Sequence, residues 1–199
     1  MRDLILKMSM SVDGFVSDLE GRNTWMFGAD QEAKAWSVEH LWTAGLHIMG
    51  ARSFRDMAAW WPTSTDAFAG PMNQIPKAVF SRQGPAVLDE ARAAAGPSAA
   101  LQPGGESWAE AYVASGDLAE DIAGLKAQDG KPIIAHGGVG FARSLVAHGL
   151  VDQFVLIVAP VALGAGLPLF CDLAAPAPLR LVSSKAFPGG AAAQTYRLA

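Results

Sequence analysis

Cysteine is almost absent from this sequence. Cys171 stands alone among 199 residues, so no internal disulfide can form and no cysteine cluster exists to hold zinc or an iron–sulfur centre. Histidine is nearly as scarce: His40, His47, His136 and His148 fall in neither an HxH nor an HExxH pattern, and no metal site is expected. Charged residues are few, at 17%, and the net charge of -4 comes without a basic run, which argues against a surface built around nucleic-acid phosphates. Apolar residues make up 51%, yet no continuous apolar run is long enough to cross a bilayer. The opening MRDLILKMSMSVDGF has an early Asp and a Lys inside its short apolar stretch, and reads as a strand rather than a secretion signal. The expectation is one cytoplasmic domain, residues 1–199, whose partner is a small molecule and not a nucleic acid or a membrane.

Period-two alternation puts Leu6, Met8, Met10 and Val12 on one side of that first strand and Lys7, Ser9 and Ser11 on the other, until Asp13-Gly14 breaks it. Turn formers then predict an excursion loop to Phe27. Asp30 caps a helix predicted over 31–44; LHIMG is a strand closed by Gly50, followed by a short helix with Ser53 as its cap and Pro62 as its end. IPKAVFS is the next strand. Residues 84–105, rich in Ala, Pro and Gly, read as a surface connection with one poorly defined strand. Asp117 caps a helix carrying Leu118, Ile122 and Leu125; KPIIAH is a strand, and HGGVGFARSLVAHGL is a glycine turn leading into a helix. DQFVLIVAPVAL, apolar on both faces, is a central strand, and LRLVSSKAF and AAQTYRL form a terminal antiparallel pair joined through Pro188-Gly189-Gly190. Strands alternating with helices early and following one another late predict an α/β fold with a mixed sheet.

Gly137, Gly138 and Gly140 lie where a strand hands over to a helix. Glycines admit a ligand close to the backbone, and a helix start offers unpaired N–H groups and a positive dipole end, which together suit a phosphate; a plain tight turn would use the same glycines. No Lys-Ser/Thr follows, so this is not a P-loop, and the Rossmann spacing fails because Arg143 stands at the third glycine's place. Two further strand ends carry anion-binding residue types, Arg52 and Ser53 in MGARSF and Ser81 and Arg82 in FSR. Ligands of an open α/β sheet gather outside its carboxyl edge, so one extended polyanionic cofactor would span all three.

MSMSVDGFVSD, IMGARSFRDM with WWP, IPKAVFSR, IIAHGGVGFARSLVAHGLVDQFVL and APVALGAGLPLF, taken in order, resemble the dihydrofolate reductase-like superfamily. The branch is the one built like the reductase (C-terminal) domain of the bacterial riboflavin biosynthesis protein RibD. The resemblance runs nearly end to end. It implies a mixed, mostly parallel central sheet flanked by helices, NADPH as hydride donor, and a homodimer. It places Gly50, Ala51, Arg52 and Ser53 around the cofactor phosphates, Ser81 and Arg82 at the adenosine 2′-phosphate, and Gly137, Gly138, Val139, Gly140 and Phe141 at the pyrophosphate and neighbouring ribose. Asp13, in a stretch similar to the substrate-facing LDG of riboflavin-type reductases, is the candidate for substrate contact or proton handling, although Asp-Gly also makes an ordinary turn. Phe15, Trp25 and Trp61 are candidate flat walls for a heterocycle, or else core.

The implied activity is NADPH-dependent reduction of a C=N or C=O bond in a small pyrimidine- or pterin-like substrate. The alternatives are reduction of the ribosylaminopyrimidine of riboflavin synthesis, dihydrofolate reduction, or a cofactor-binding sensor or scaffold without turnover. No acidic residue of the first helix aligns with the pterin-binding acid of dihydrofolate reductases. Cys171, in PLFCDL, is expected to be a buried, inert thiol. His136, at a strand end beside the glycines, has either a ligand contact or a hydrogen-bonded structural role.

Overall fold

The elements follow one another as β1 (Leu4–Ser11), β2 (Phe15–Ser17), α1 (Gln31–Leu41), β3 (Leu46–Gly50), α2 (Ala51–Trp60), α3 (Ala69–Gln74), β4 (Lys77–Phe80), α4 (Ala86–Ala95), β5 (Tyr112–Ala114), α5 (Leu118–Ala127), β6 (Ile133–His136), α6 (Val139–Ala147), β7 (Gln153–Ala159), β8 (Leu167–Pro168), β9 (Leu179–Ala186) and β10 (Ala192–Leu198). The structure is a computed structural model that describes residues 1–27, 30–95, 100–171 and 173–199. Eight strands form one sheet in the order β5-β4-β3-β6-β1-β7-β10-β9, and β2 pairs with β8 in a separate ribbon. Neighbours from β5 to β7 are parallel, while β10 runs antiparallel to both β7 and β9. The mixed, mostly parallel sheet with a terminal antiparallel pair is as the sequence predicts.

Alternation along the strands divides the core in two. Leu4, Leu6, Ile48, Ile133 and Leu156 face α5 and α6 through Ile122, Leu125, Ala142 and Leu145. Ile5, Met49, Val79, Ile134 and Val155 face the opposite way, against Leu41 of α1, Phe54 and Ala58 of α2, Met72 of α3, and Val87 and Ala91 of α4. Covering both faces is what a parallel sheet with crossover helices requires. Phe54 is fully buried at the centre of the second cluster, and truncating such a side chain costs about 3–5 kcal/mol.

Four expectations change. The helix after LHIMG begins at Ala51 with Gly50 as its cap residue, so Ser53 lies inside the first turn and is not the cap. Residues 86–95 form α4, which packs on α2 and pairs Glu90 with Arg55 at 2.6 Å; no strand appears among the described residues of 84–105, and 96–99 lie outside them. The excursion after Gly14 contains β2 and a single 3-10 turn, Thr24–Phe27. Cys171 is half-buried rather than buried.

Candidate active site

Parallel pairing brings the carboxyl ends of β4, β3, β6 and β1 to one edge of the sheet as consecutive neighbours. The three strand ends expected to share a ligand, at Ser81, Gly50 and Gly137, are thus side by side. The first turns of α2 and α6 cross there at close range: a Cβ on Gly50 would stand 3.0 Å from Cβ of Phe141, and one on Gly138 would stand 2.7 Å from Oγ of Ser53. Gly138 also has φ +89°, where side chains other than glycine are strained. Part of the glycine signal therefore serves helix packing. Gly140 is different, because a Cβ there would meet nothing within 4 Å. The Phe141 ring lies 5.0 Å from that of Phe80, so its side chain is committed to bridging β4 and α6.

Capping separates the helices into two kinds. Asp30 closes α1 by accepting from the Ala33 amide, and Asp117 closes α5 by accepting from the amides of Ala119 and Glu120. α2 and α6 start at Gly50 and Gly138 without any side-chain cap. Their first-turn N–H groups point past the carboxyl edge and are available to an anion. Arg52 and Arg82 are both exposed, and neither is paired with another described residue; Arg22, Arg55, Arg92 and Arg197, by contrast, hold carboxylates. A Cβ on Gly21 would come within 3.8 Å of Nη2 of Arg52, which puts the 18–22 turn beside that guanidinium. Ser81 is buried, and its hydroxyl accepts from the Gln83 amide at 3.2 Å.

The end of β1 is tied to the APVALGAGLPLF stretch. The Asp13 carboxylate accepts from the amides of Leu163 at 3.1 Å and Gly164 at 2.7 Å, and Val12 donates to the Val161 carbonyl. Phe15 pairs with Pro168, and Arg143 of α6 donates to the Pro168 carbonyl. Gly166 is obligatory in this strap, since a Cβ would fall 2.3 Å from the Ser17 carbonyl oxygen. Two motifs far apart in sequence are thus halves of one structure. The Ser11 hydroxyl and the strap amides hold the Asp13 carboxyl below the usual carboxylate range, so at neutral pH it is an acceptor with no proton to give. Trp25 is half-buried, with Nε1 buried and unpartnered among the described residues. Trp61 follows the far end of α2, about 15 Å along the helix from Gly50, and packs on Phe68, 6.2 Å away between ring centres. A shallow depression of about 460 Å³, lined by Trp60, Thr63, Ser64, Thr65 and Asp66, lies beside it.

The structure adds Lys7, His40, His47 and Lys77 to the residues singled out in the sequence, and sets His136, hydrogen-bonded to His47, among them. On the face of the sheet that packs against α1 and α2 runs a polar row: Lys77 on β4, His47 on β3, His136 on β6 and Lys7 on β1, with His40 reaching in from α1. Lys77 is satisfied by the carbonyls of Asn73 and Ile75 and the Ser107 hydroxyl. Lys7 is half-buried, sits directly opposite His136 in register, and has no hydrogen-bond or ion-pair partner among the described residues. Desolvation lowers its amine to about 8. Burial, and then the Lys7 charge, lowers His136 to about 3 and His40 to about 4. The signal for this row is a lysine inside a strand whose two faces are both covered, where a charge without a role is not retained.

A family model, the RibD C-terminal domain, matches residues 2–193. The chain belongs to the RibD C-terminal domain family. A putative riboflavin biosynthesis protein from Shewanella sp. PV-4 superposes with a TM-score of 0.71 at 19% identity, over 99% of each chain. A diaminohydroxyphosphoribosylaminopyrimidine deaminase/5-amino-6-(5-phosphoribosylamino)uracil reductase from Thermotoga maritima does so with a TM-score of 0.64 at 15% identity; the match covers all of this chain and 57% of that one. Dihydrofolate reductase from Enterococcus faecalis, complexed with NADP(H), gives 0.58 at 12% identity over 98% of this chain and 96% of that one. The fold of this RibD-type domain is dihydrofolate reductase-like, and its family is one of reductase domains of the riboflavin-biosynthesis type. Among the described residues, no helix is long and apolar enough to cross a membrane.

Proposed function

We propose that the protein is an NADPH-dependent reductase that delivers hydride to a C=N or C=O bond of a small heterocyclic substrate. The observation that carries this reading is the pair of adjacent helix N-termini, α2 and α6, that begin at glycine without a side-chain cap and are flanked by Arg52 and Arg82, neither of them paired with another described residue. Such amide clusters suit a diphosphate, and a guanidinium suits the 2′-phosphate that separates NADPH from NADH. In this reading Gly50, Ala51, Arg52 and Ser53, with Gly137, Gly138, Val139, Gly140 and Phe141, hold the diphosphate and ribose, while Ser81 and Arg82 hold the adenosine end. NADPH, when bound, supplies the hydride. The chain's own task is to position the substrate beside it, exclude water, and handle the proton.

Proton handling falls to Lys7 in preference to Asp13. An amine titrating near 8 is substantially protonated at neutral pH and still able to release its proton, whereas the Asp13 carboxylate is engaged by the strap amides. Asp13 then acts by holding the 161–166 strap over the end of β1, with Phe15 and Trp25 as the flat walls of the substrate site. Fluorescence titration of the protein with NADPH and with NADH tests the cofactor, and oxidation of NADPH across a panel of pterins, pyrimidines and quinones tests turnover. Preferential NADPH binding with oxidation on one panel class is expected. Equal affinity for both cofactors would refute the 2′-phosphate assignment, and binding without any oxidation would make the protein a cofactor binder rather than an enzyme.

A further inference from the structure

Arg52 stands beside two carboxylates and holds neither. It is exposed, and a Cβ on Gly21 would come within 3.8 Å of its Nη2, which sets it against the turn that carries Asp18 and Glu20. Consecutive Cα atoms are about 3.8 Å apart, so a glutamate next to Gly21 has the length to reach that guanidinium. Arg22, Arg55, Arg92 and Arg197 each hold a carboxylate, whereas Arg52 has no ion pair among the described residues. Opposite charges this close attract unless one of them is already occupied.

The turn occupies its own acids. The Asp18 amide donates to the Arg22 carbonyl at 2.9 Å, and the Gly21 amide to the Asp18 carbonyl at 3.1 Å. Oδ1 of Asp18 accepts from the amides of Glu20 and Arg22, at 3.0 and 2.8 Å. Arg22 then folds back over the loop, donating from Nε to Oδ2 of Asp18 at 2.9 Å and from Nη2 to Oε2 of Glu20 at 3.0 Å. One planar fork thus spans both acids, which the point charge of a lysine does not do. The side chain and amide of Arg22 hold the Asp18 carboxyl below the usual carboxylate range. The two acids differ in freedom. Asp18 is 31% exposed and is fixed by two amides besides the fork; Glu20 is 65% exposed, and its carboxylate has the Arg22 fork as its one partner among the described residues. Loss of the Arg22 guanidinium would therefore release Glu20 and leave Asp18 in place.

We propose that Arg22 is a positioning residue that grips Asp18 and Glu20 in one fork, keeps the acidic turn from capturing Arg52, and so leaves that guanidinium open to an incoming phosphate. A released Glu20 would be a standing competitor at the first turn of α2, and an anion arriving there would first have to break a Glu20–Arg52 pair. The expected cost is about 3-fold in affinity, the scale of one exposed ion pair. Salt that screens exposed charges would shrink it. The proposal rests on the reductase reading only in naming NADPH as the anion.

Nuclear magnetic resonance of ligand-free, ¹⁵N-arginine-labelled protein at low ionic strength reads the change of partner directly. The Nε–Hε resonance of Arg52, assigned by its loss in Arg52→Ala, should shift and exchange more slowly with water in Arg22→Ala. In Arg22→Ala/Glu20→Gln it should return to its parental position, which ties the shift to the Glu20 carboxylate and not to loss of the turn. Titrated with NADPH, Arg22→Ala should bind about 3-fold more weakly than the parent and the double variant like the parent. In an Arg52→Ala background the effect of Arg22→Ala should vanish. An Arg52 resonance that ignores Arg22→Ala, or one that shifts and is not restored by Glu20→Gln, overturns the proposal. So does an Arg22→Ala loss of NADPH affinity that is equal with and without Arg52, since Arg22 would then act only as a distant positive charge. A parent that does not bind NADPH overturns the cofactor assignment instead and leaves the ligand-free result standing.

Discussion

Gly138 and Gly140 are two residues apart, yet a methyl group should act on them in opposite directions. Gly138 has φ 89° and ψ 97°, a combination that belongs almost entirely to glycine, and forcing alanine into it costs about 1–3 kcal/mol. The new Cβ would also press on the Ser53 hydroxyl at 2.7 Å. That hydroxyl can rotate away, so the contact adds a rotamer term of about 0.5–1.5 kcal/mol rather than a backbone clash. Gly138→Ala should lose about 2–4 kcal/mol, or roughly 5–15 °C in melting temperature for a chain of this size. Combining it with Ser53→Ala, whose Cβ stands at an ordinary 3.7 Å, should recover the rotamer share and leave the strain. Gly140 lies in the first turn of α6 with open space around it, so alanine there should stabilise the free protein by about 0.5–1 kcal/mol. The same methyl would occupy the space above the uncapped amides, and NADPH affinity should fall at least about tenfold, or 1.4 kcal/mol. Thermal and urea unfolding with fluorescence titration measure both quantities on each variant. Parental NADPH affinity in Gly140→Ala refutes a diphosphate held at α6, and parental stability in Gly138→Ala refutes the turn geometry.

Other residues give tests of the same kind. Arg82→Ala should weaken NADPH by about 10-fold, the contribution of one charge-assisted hydrogen bond, and leave NADH within about 2-fold, whereas Arg52→Ala, at the diphosphate that both cofactors carry, should weaken the two alike; the comparison of the two titrations is the readout. Lys7→Met should raise the melting temperature by removing a desolvated ammonium while depressing turnover. In the parent, activity should fall as pH rises through about 8, because the protonated amine is then lost, and Lys7→Arg should abolish that fall without restoring the rate. Because the folded amine titrates below its unfolded value, the Lys7 contribution to stability is unfavourable below about 8 and disappears as pH rises toward the unfolded value near 10. Asp13→Asn removes the charge that gathers the strap amides, so hydrogen exchange at Leu163 and Gly164 should accelerate more than at β1 itself; unchanged protection there would show that the strap holds without it.

Strands with a strong period, and helices that open on an aspartate, were readable from the sequence. Asp30 and Asp117 announce α1 and α5 because a carboxylate beside free amides leaves few other readings. α4 gave no such sign. Its buried positions in the second core cluster are Val87 and Ala91, and an alanine that packs on α2 is indistinguishable in a sequence from one that fills a linker. β5 is three residues long and paired on one side only, too short for alternation to register. The Ser53 cap failed for a more useful reason: the chain enters α2 directly from β3 through a glycine, and the amides that a serine would have closed are left open.

The same consideration explains why, His136 apart, the polar row is not legible in the sequence while the glycine edge is. Alternation in LILKMSMS sorts Leu6, Met8 and Met10 from Lys7, Ser9 and Ser11, and in a sheet with one wet face the second set would lie in water. Here β1 sits between β6 and β7 with helices on both sides, so the second set points into the space between the sheet and α1. Only the position of a strand in the sheet order converts a polar residue from a surface residue to a buried one, and that order is long-range information. Once β1 is known to be central, a lysine at its midpoint, unpaired among the described residues and level with a histidine on the next strand, has no structural purpose that an apolar side chain would not serve better. Its retention is intelligible if the amine meets its partner only when a ligand arrives, which is why Lys7→Met is expected to gain stability and lose turnover together.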